Sequence, residues 1–510
     1  MKKKLSGTVV VTPLFFLGLL LFVNIFVFSQ AKGVGIFDGQ TDIGQVIQPG
    51  VAMYDTETDE YEILSPATNN GLLNQDPIHF VWKQIKGDFI IYAQVNLLAR
   101  DTNLSTRLGC MIRTNLDANS PNISASIDEK GETSIEYVKD PDDSINEVRY
   151  ALKNANVIQL QRDGNDYIIR VAKFGEPFIT RQVTNLNLGD DVFVGLFIGS
   201  INQDKVEKGI YNNIRLTIPV PKILSIYRTD IGSNLEILDI ETGNRKIVYS
   251  DTSSIHAPIW QKDGNTLIYG KQGLLYTFDL VRKKCTLLNT AGMKNNSNDH
   301  VLSCDGKMLG ICIRPTETEA PIMYTVPASG GHPKRISKKG PSFPHCWSLD
   351  GKMLLFAGSR EGEFEIYKIS ARGGKEYRIT NTRGMDDCPE YSPDGKYIYF
   401  SSNRTGSMHI WRMKPDGSDQ EMVTAGGFYD WFPHVSPNGK WIVFLSYSKD
   451  DASPSGHPSY RQVYLRLMPV SGGEPKIIAY VYGGQGTINS PCWSPDSKKI
   501  AFASYSDTQY

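Results

Sequence analysis

Polar side chains of catalytic or ligand-binding type gather in a few short windows of the second half of this chain. They are His256, Asn298, Asp299, His300, His345, Asp386, Asp387, Glu390, Asp430, His434, Gln485 and Asn489, with Phe343, Tyr429 and Trp431 among them. Four of the eight histidines lie within five positions upstream of one recurring turn. Imidazoles flanked by carboxylates and amides can bind a divalent metal or move protons as acid and base. His300, His345 and Gln485 form the candidate metal set. Trp431 and Tyr429 offer flat apolar faces with a polar edge, suited to stacking on sugar rings while Asp, Asn and Gln bind hydroxyls. The competing account is structural: such side chains cap strand ends and hold ordered water, and Trp431 packs between neighbouring elements. Spacing also divides the set. His300 and His345 occupy equivalent positions and His256 lies two residues earlier, so a period of two puts these three on one face. His434 and Glu390 are one residue out of phase and should point the other way.

The elements that must position these residues are repeats. An apolar strand, a Ser-x-Asp-Gly turn and a second apolar strand recur six times. The turn position falls at Gln261, Ser303, Ser348, Ser392, Ser436 and Ser494, at spacings of 42 to 45 residues and a last gap of 58. That is the period of a four-stranded propeller blade, and six copies predict six blades. Asp-Gly and Asn-Gly pairs predict two-residue type I′ hairpins joining the innermost strand of each blade to its second. The starts of the inner strands converge on a central channel, which places the polar windows at the propeller mouth. The long last gap contains Asp450 to Ser459, a Pro/Gly/Ser segment read as a loop inserted in the fifth blade.

The sixth copy exhausts the chain at Tyr510, so its blade lacks two outer strands. An unfinished blade exposes unpaired backbone groups. Residues from about 233 to 249, two apolar runs joined by a turn at Glu241 to Asn244, are therefore expected to complete the sixth blade and fasten the two ends of the ring.

A chain of 510 residues predicts more than one domain. Hydrophobic content of 40%, charged content of 21% and net charge −1 describe an ordinary globular protein and give no electrostatic reason for a nucleic-acid partner. Lys2, Lys3 and Lys4 precede an apolar stretch from Val9 to Phe28 and then Ser29-Gln30-Ala31, the pattern of a secretory signal over residues 1–31. A membrane anchor is the alternative if that segment stays uncleaved. The expected location is the periplasm or cell surface. The seven cysteines show no CxxC or CxxH spacing, and their inner-strand positions suit buried free thiols, with a bridge between spatial neighbours left open by an oxidising compartment.

Residues 33–220 show no such repeat. Short strands recur instead, among them His79 to Trp82, Asp88 to Val95, Arg107 to Arg113, Val157 to Arg162, Tyr167 to Ala172 and Val192 to Ile198, with a hairpin signal at Asp163 to Asp166. No long helical period appears, so an antiparallel β-sandwich is expected.

The stretches Phe80 to Ile91, Gly109 to Arg113 and Val192 to Phe197 resemble a concanavalin-like (laminin-G-type) sandwich of secreted bacterial proteins. The repeats resemble the TolB-type propeller, in phrases such as Asn298 to Ser303, Pro389 to Phe400, Asp430 to His434 and Gly483 to Asn489. Together the resemblances imply an all-β chain, with a sandwich at 33–220 and a six-bladed propeller at 221–510. Oligogalacturonate lyases are similar propellers in which His and Gln from several blades hold a divalent cation that acidifies the α-proton of a uronate. This chain offers His and Gln485, but it does not match that motif residue by residue, and no catalytic assignment carries over. Two functions are expected from these resemblances and residues. One is binding or processing of an oligosaccharide at the propeller mouth, with metal-dependent lyase chemistry as its enzymatic form. The other is a protein-interaction scaffold of the envelope, resembling the propeller of the Tol system. A ligand site expects an open polar pocket; a scaffold expects a plugged channel and a broad rim of mixed charge.

Overall fold

The computed structural model describes residues 34–67, 77–97, 106–141, 143–200, 206–221, 230–316 and 318–507. The expected signal segment lies outside them. Among the described residues the chain is all-β apart from one short 3-10 turn, Gln485–Thr487. None of their helices is long and apolar enough to cross a membrane.

The N-terminal strands build two seven-stranded antiparallel sheets. One runs in the order Gly39–Ile43, Ile78–Lys86, Asp191–Ser200, Thr106–Arg113, Asn122–Asp128, Glu132–Val138 and Asn146–Lys153. The other runs Ile179–Val183, Asp166–Ala172, Val157–Asp163, Phe89–Leu97, Lys208–Thr217, Glu60–Leu64 and Val51–Asp55. Their facing sides share one apolar core, including Ile91, Leu108, Ile112, Leu160, Ile169, Val194 and Leu196. The alternation of apolar and polar residues makes this possible, because each strand turns one set of side chains inward. The hairpin at Asp163 pairs with Asp166 as its sequence signals.

Five four-stranded sheets follow, with inner strands Ile255–Trp260, Asn296–Leu302, Ser342–Trp347, Asp386–Tyr391 and Phe428–Val435. The loop between Trp441–Ser448 and Arg461–Pro469 is the insertion expected in blade five. Ring closure occurs as the sequence predicts. Ser233–Asp239 pairs along its length with the C-terminal strand Lys499–Tyr505, and Arg245–Asp251 adds the outermost strand. Trp493 supplies the innermost contact of this sixth blade through a bridge to Ile500. Between blades, the Trp347 indole donates to Val301 O at 3.1 Å and Trp493 to His434 O at 2.9 Å.

The hairpin turns differ from the type I′ expectation. Only the glycine of each Asp-Gly pair has positive φ, as in Gly306 (75°), Gly351 (68°) and Gly395 (71°). Ser303 N–H donates to Met308 O and Gly306 N–H to Ser303 O, closing a four-residue loop around an ordinary turn. The serine explains the change: Ser303 Oγ donates to Asp305 Oδ1 at 2.7 Å and accepts from Met308 N–H at 2.9 Å, and the same clasp recurs at Ser348, Ser392, Ser436 and Ser494. Aspartate, or asparagine at 438, is present for its side-chain oxygen rather than for a left-handed backbone.

The two halves are docked through polar and aromatic contacts. Gln159 donates to Gln462 at 2.9 Å, the Tyr480 hydroxyl donates to Glu176 O at 2.6 Å, and Phe178 packs on Tyr480 at 4.6 Å between centroids.

Candidate functional site

Each inner strand enters the channel through a local irregularity. Pairing with the second strand shifts between His256 and Ile259, Asn296 and His300, Pro344 and Cys346, Asp387 and Glu390, and Trp431 and His434. At three of these bulges the residue four before the turn position is left-handed: Ala257 (φ 50°), Cys388 (φ 55°) and Phe432 (φ 55°). An extra residue in one strand interrupts the two-residue alternation, so phase counted from the turn does not hold across it. The polar residues divide into separate groups accordingly.

The first group spans blades two, three, four and six. His345 Nε2 lies 3.2 Å from Asp387 Oδ1 and 4.0 Å from Asp299 Oδ1. Asn489 Nδ2 donates to Asp299 Oδ1 at 2.9 Å. Burial by itself would push the His345 imidazole down, but the hydrogen bond and charge of Asp387, aided by Asp299 and Glu390, outweigh it and raise its pKa. Burial likewise opposes the Asp387 carboxylate, and its hydrogen bond with His345 and the nearby His345 and His457 hold it below its usual range. Each member of the pair thus favours the charged form of the other.

The second group sits between blades four and five. His434 Nδ1 is 2.6 Å from Glu390 Oε2 and its Nε2 is 2.6 Å from Ile488 O, while Val435 N–H donates to Glu390 Oε1 at 2.9 Å. These two residues share a face, as their common phase predicts. They face each other rather than the channel group.

The third group borders Gly270 in blade one, next to both His256 and His300. His256 Nδ1 meets the Tyr505 hydroxyl at 3.1 Å. His300 is fully buried and neither of its ring nitrogens has a hydrogen-bond partner. Burial pushes both imidazoles down to about 4, so both are neutral at pH 7. His300, on the inner strand of blade two, therefore lies against Gly270 of blade one beside His256, whereas His345 meets carboxylates.

The remaining members are held individually. Asp386 is clasped by both its oxygens on Arg404 Nη2, at 2.8 and 2.9 Å, and by Thr382 Oγ1. Asp430 accepts from Ser446 Oγ at 2.6 Å and Arg466 Nη1 at 3.2 Å. Trp431 is fully buried beneath His457 of the inserted loop, edge to face at 4.5 Å. Asn298 and Gln485 are partly exposed. Among the described residues, the titratable donors that converge within 4.8 Å of one another are His345, Asp387 and Cys388; His300 is outside that set.

Sequence reasoning missed Cys388, Tyr505, Arg404, Arg466 and His457 as members of these groups. Cys388 reads locally as a small apolar filler. Arg404 and Arg466 lie on outer parts of their blades, and the inserted loop was the only signal for His457. All seven cysteines are free, with Cys110, Cys312, Cys388 and Cys492 buried and Cys304 exposed.

Fold and site together define a closed six-bladed β-propeller with a two-sheet N-terminal region docked to its side. The family described as "TolB beta propeller domain" matches residues 337–457. An uncharacterized protein of Agrobacterium fabrum is 39% identical over 274 residues, spanning 54% of this chain and 92% of that relative. The solved structure of a putative TolB from Agrobacterium tumefaciens is 38% identical, with a TM-score of 0.51 over 55% of this chain and 99% of its own. The chain belongs to the TolB-type β-propeller family. An oligogalacturonate lyase solved in complex with manganese is 13% identical over 54% of this chain and 91% of its own, with a TM-score of 0.34.

Proposed function

We propose that this protein is an exported envelope protein whose propeller serves as a protein-docking scaffold. One observation carries the reading: the polar side chains of the mouth are bonded to one another across blades, as in His345 with Asp387 and His434 with Glu390, and a loop of blade five covers Trp431. A sugar site needs polar groups and an aromatic face open to the ligand. Around this plugged mouth the exposed loops carry Arg314, Glu319, Glu361, Glu363, Arg383, Lys449 and Asp450, a rim of both signs. Complementary charge on such a rim favours selection among protein partners and fast encounter. The likeness to a putative TolB supports the envelope location, and the N-terminal signal pattern supports export. The N-terminal sheets fit a concanavalin-like sandwich that orients the propeller.

The test is site-specific photo-crosslinking in cells producing the whole chain. Probes at Arg383 and Lys449 on the mouth rim should trap one discrete envelope protein, and a probe at Lys352, on the opposite face with the Ser-x-Asp-Gly turns, should not. Absence of a rim adduct, combined with saturable oligosaccharide binding by the purified protein, would reverse the reading.

A further inference from the structure

We infer that the propeller throat holds a zinc site built by His345 of blade three and by Asp387 and Cys388 of blade four, with a water as the fourth ligand on the side of Asp299. A ring nitrogen of His345, an Asp387 carboxylate oxygen and Cys388 Sγ lie within 4.8 Å of one another, and Asp299 Oδ1 is 4.0 Å from His345 Nε2. Zinc bonds of about 2.0 to 2.3 Å in a tetrahedron put neighbouring donors roughly 3.3 to 3.8 Å apart, so an ion fits once the three donors close by about 1 Å. One nitrogen, one carboxylate and one sulfur form a mixed donor set of the kind zinc accepts, whereas calcium and magnesium favour oxygen alone.

Two independent features point to a ligand. Consecutive residues of a strand normally face opposite ways, so Asp387 and Cys388 can share a centre only through a break in the strand. The left-handed backbone of Cys388, φ 55°, supplies that break. The same kink occurs at Ala257 and Phe432, where it brings together no second donor; blade four alone pairs it with two ligating side chains. The other feature is Asn489. Its amide rests on Asp299, is 1% exposed, and its Oδ1 has no partner. A buried carbonyl oxygen without a donor is costly, and a water carried by a metal at this spot would satisfy it. The site goes beyond the scaffold reading and stands or falls separately from it, since it concerns the throat and not the rim.

The experiment takes the full chain, strips it with a chelator and titrates it calorimetrically with Zn2+ alone. One equivalent should bind and the melting temperature should rise. Asp387→Asn and His345→Gln should each weaken zinc binding at least tenfold. Because loss of the buried pair in Asp387→Asn can impair folding, Cys388→Ser provides a nearly isosteric check, with circular dichroism of the metal-free proteins as the fold control. Co2+ in place of zinc should give a thiolate charge-transfer absorption in the wild type that disappears in Cys388→Ser. Failure of the wild type to bind Zn2+, or persistence of that band in a folded Cys388→Ser protein, would overturn the assignment.

Discussion

His300 and His345 occupy the same position in successive repeats, yet their surroundings drive them in opposite directions. His300 is buried without a partner and is pushed down to about 4. The unfolded chain therefore takes up a proton near pH 6.5 that the folded chain refuses until about 4, and stability falls as pH drops through that window. At roughly 1.4 kcal/mol per pKa unit, the loss approaches about 3 kcal/mol at the acid end. His345 behaves inversely: its raised pKa stabilises the fold below the unfolded value, and that contribution is lost as pH rises through the folded one. His300→Phe should consequently melt with a smaller drop between pH 7 and pH 4.5 than the wild type does. An unchanged drop in thermal scans would show that His300 is not the acid-sensitive group.

At the scale of the element, the recurring turn depends on one left-handed glycine and one serine clasp. Gly351 has φ 68° and open space where a Cβ would go. Alanine there meets no clash and bears only the left-handed penalty, so Gly351→Ala should cost about 1 kcal/mol in chemical denaturation. A neutral result would mean that the turn can relax. The sixth copy already carries Ser497 at this place, at φ 63°, and its Oγ accepts from Asn438 N–H at 3.0 Å. That bond from blade five to blade six offsets the strain which glycine avoids elsewhere.

At the scale of the whole molecule, one carboxylate joins ring closure to domain docking. Glu236 lies on the strand that completes blade six. It is fully buried and accepts from Arg215 Nη2 at 2.8 Å, Arg245 Nη2 at 3.0 Å and Ser504 Oγ at 2.5 Å. Arg215 comes from the second N-terminal sheet and Ser504 from the C-terminal strand. Burial alone would raise the Glu236 pKa, but the two guanidinium groups hold it at about 2. Its stabilisation is present above the unfolded value near 4.5 and is lost as pH falls toward 2. Breaking a buried ionic network by removing one charge costs about 3 to 5 kcal/mol. Glu236→Gln should lower the melting temperature and split the calorimetric transition, with the N-terminal sheets and the propeller unfolding separately. A single undivided transition at the wild-type temperature would show that the aromatic contacts suffice.

The blade count, the insertion after Ser448 and the closure of blade six were all legible in the sequence. Each is written in local, repeated signals: a 44-residue period, a break in that period, and two apolar runs left without a sheet. The gathering of polar residues at the strand starts was legible for the same reason. Which of them meet was decided by tertiary structure. His345 reaches Asp387 across 42 residues and Asn489 reaches Asp299 across 190. The bulges that aim them change the side-chain phase without a fixed residue type, since alanine, cysteine and phenylalanine all take the left-handed place. The turn type was misjudged because Asp-Gly favours two backbone forms, and a serine two residues upstream selects between them. Periodic patterns report what each strand does alone; contacts between blades depend on the angle at which neighbouring sheets fan around the axis, which no local pattern encodes.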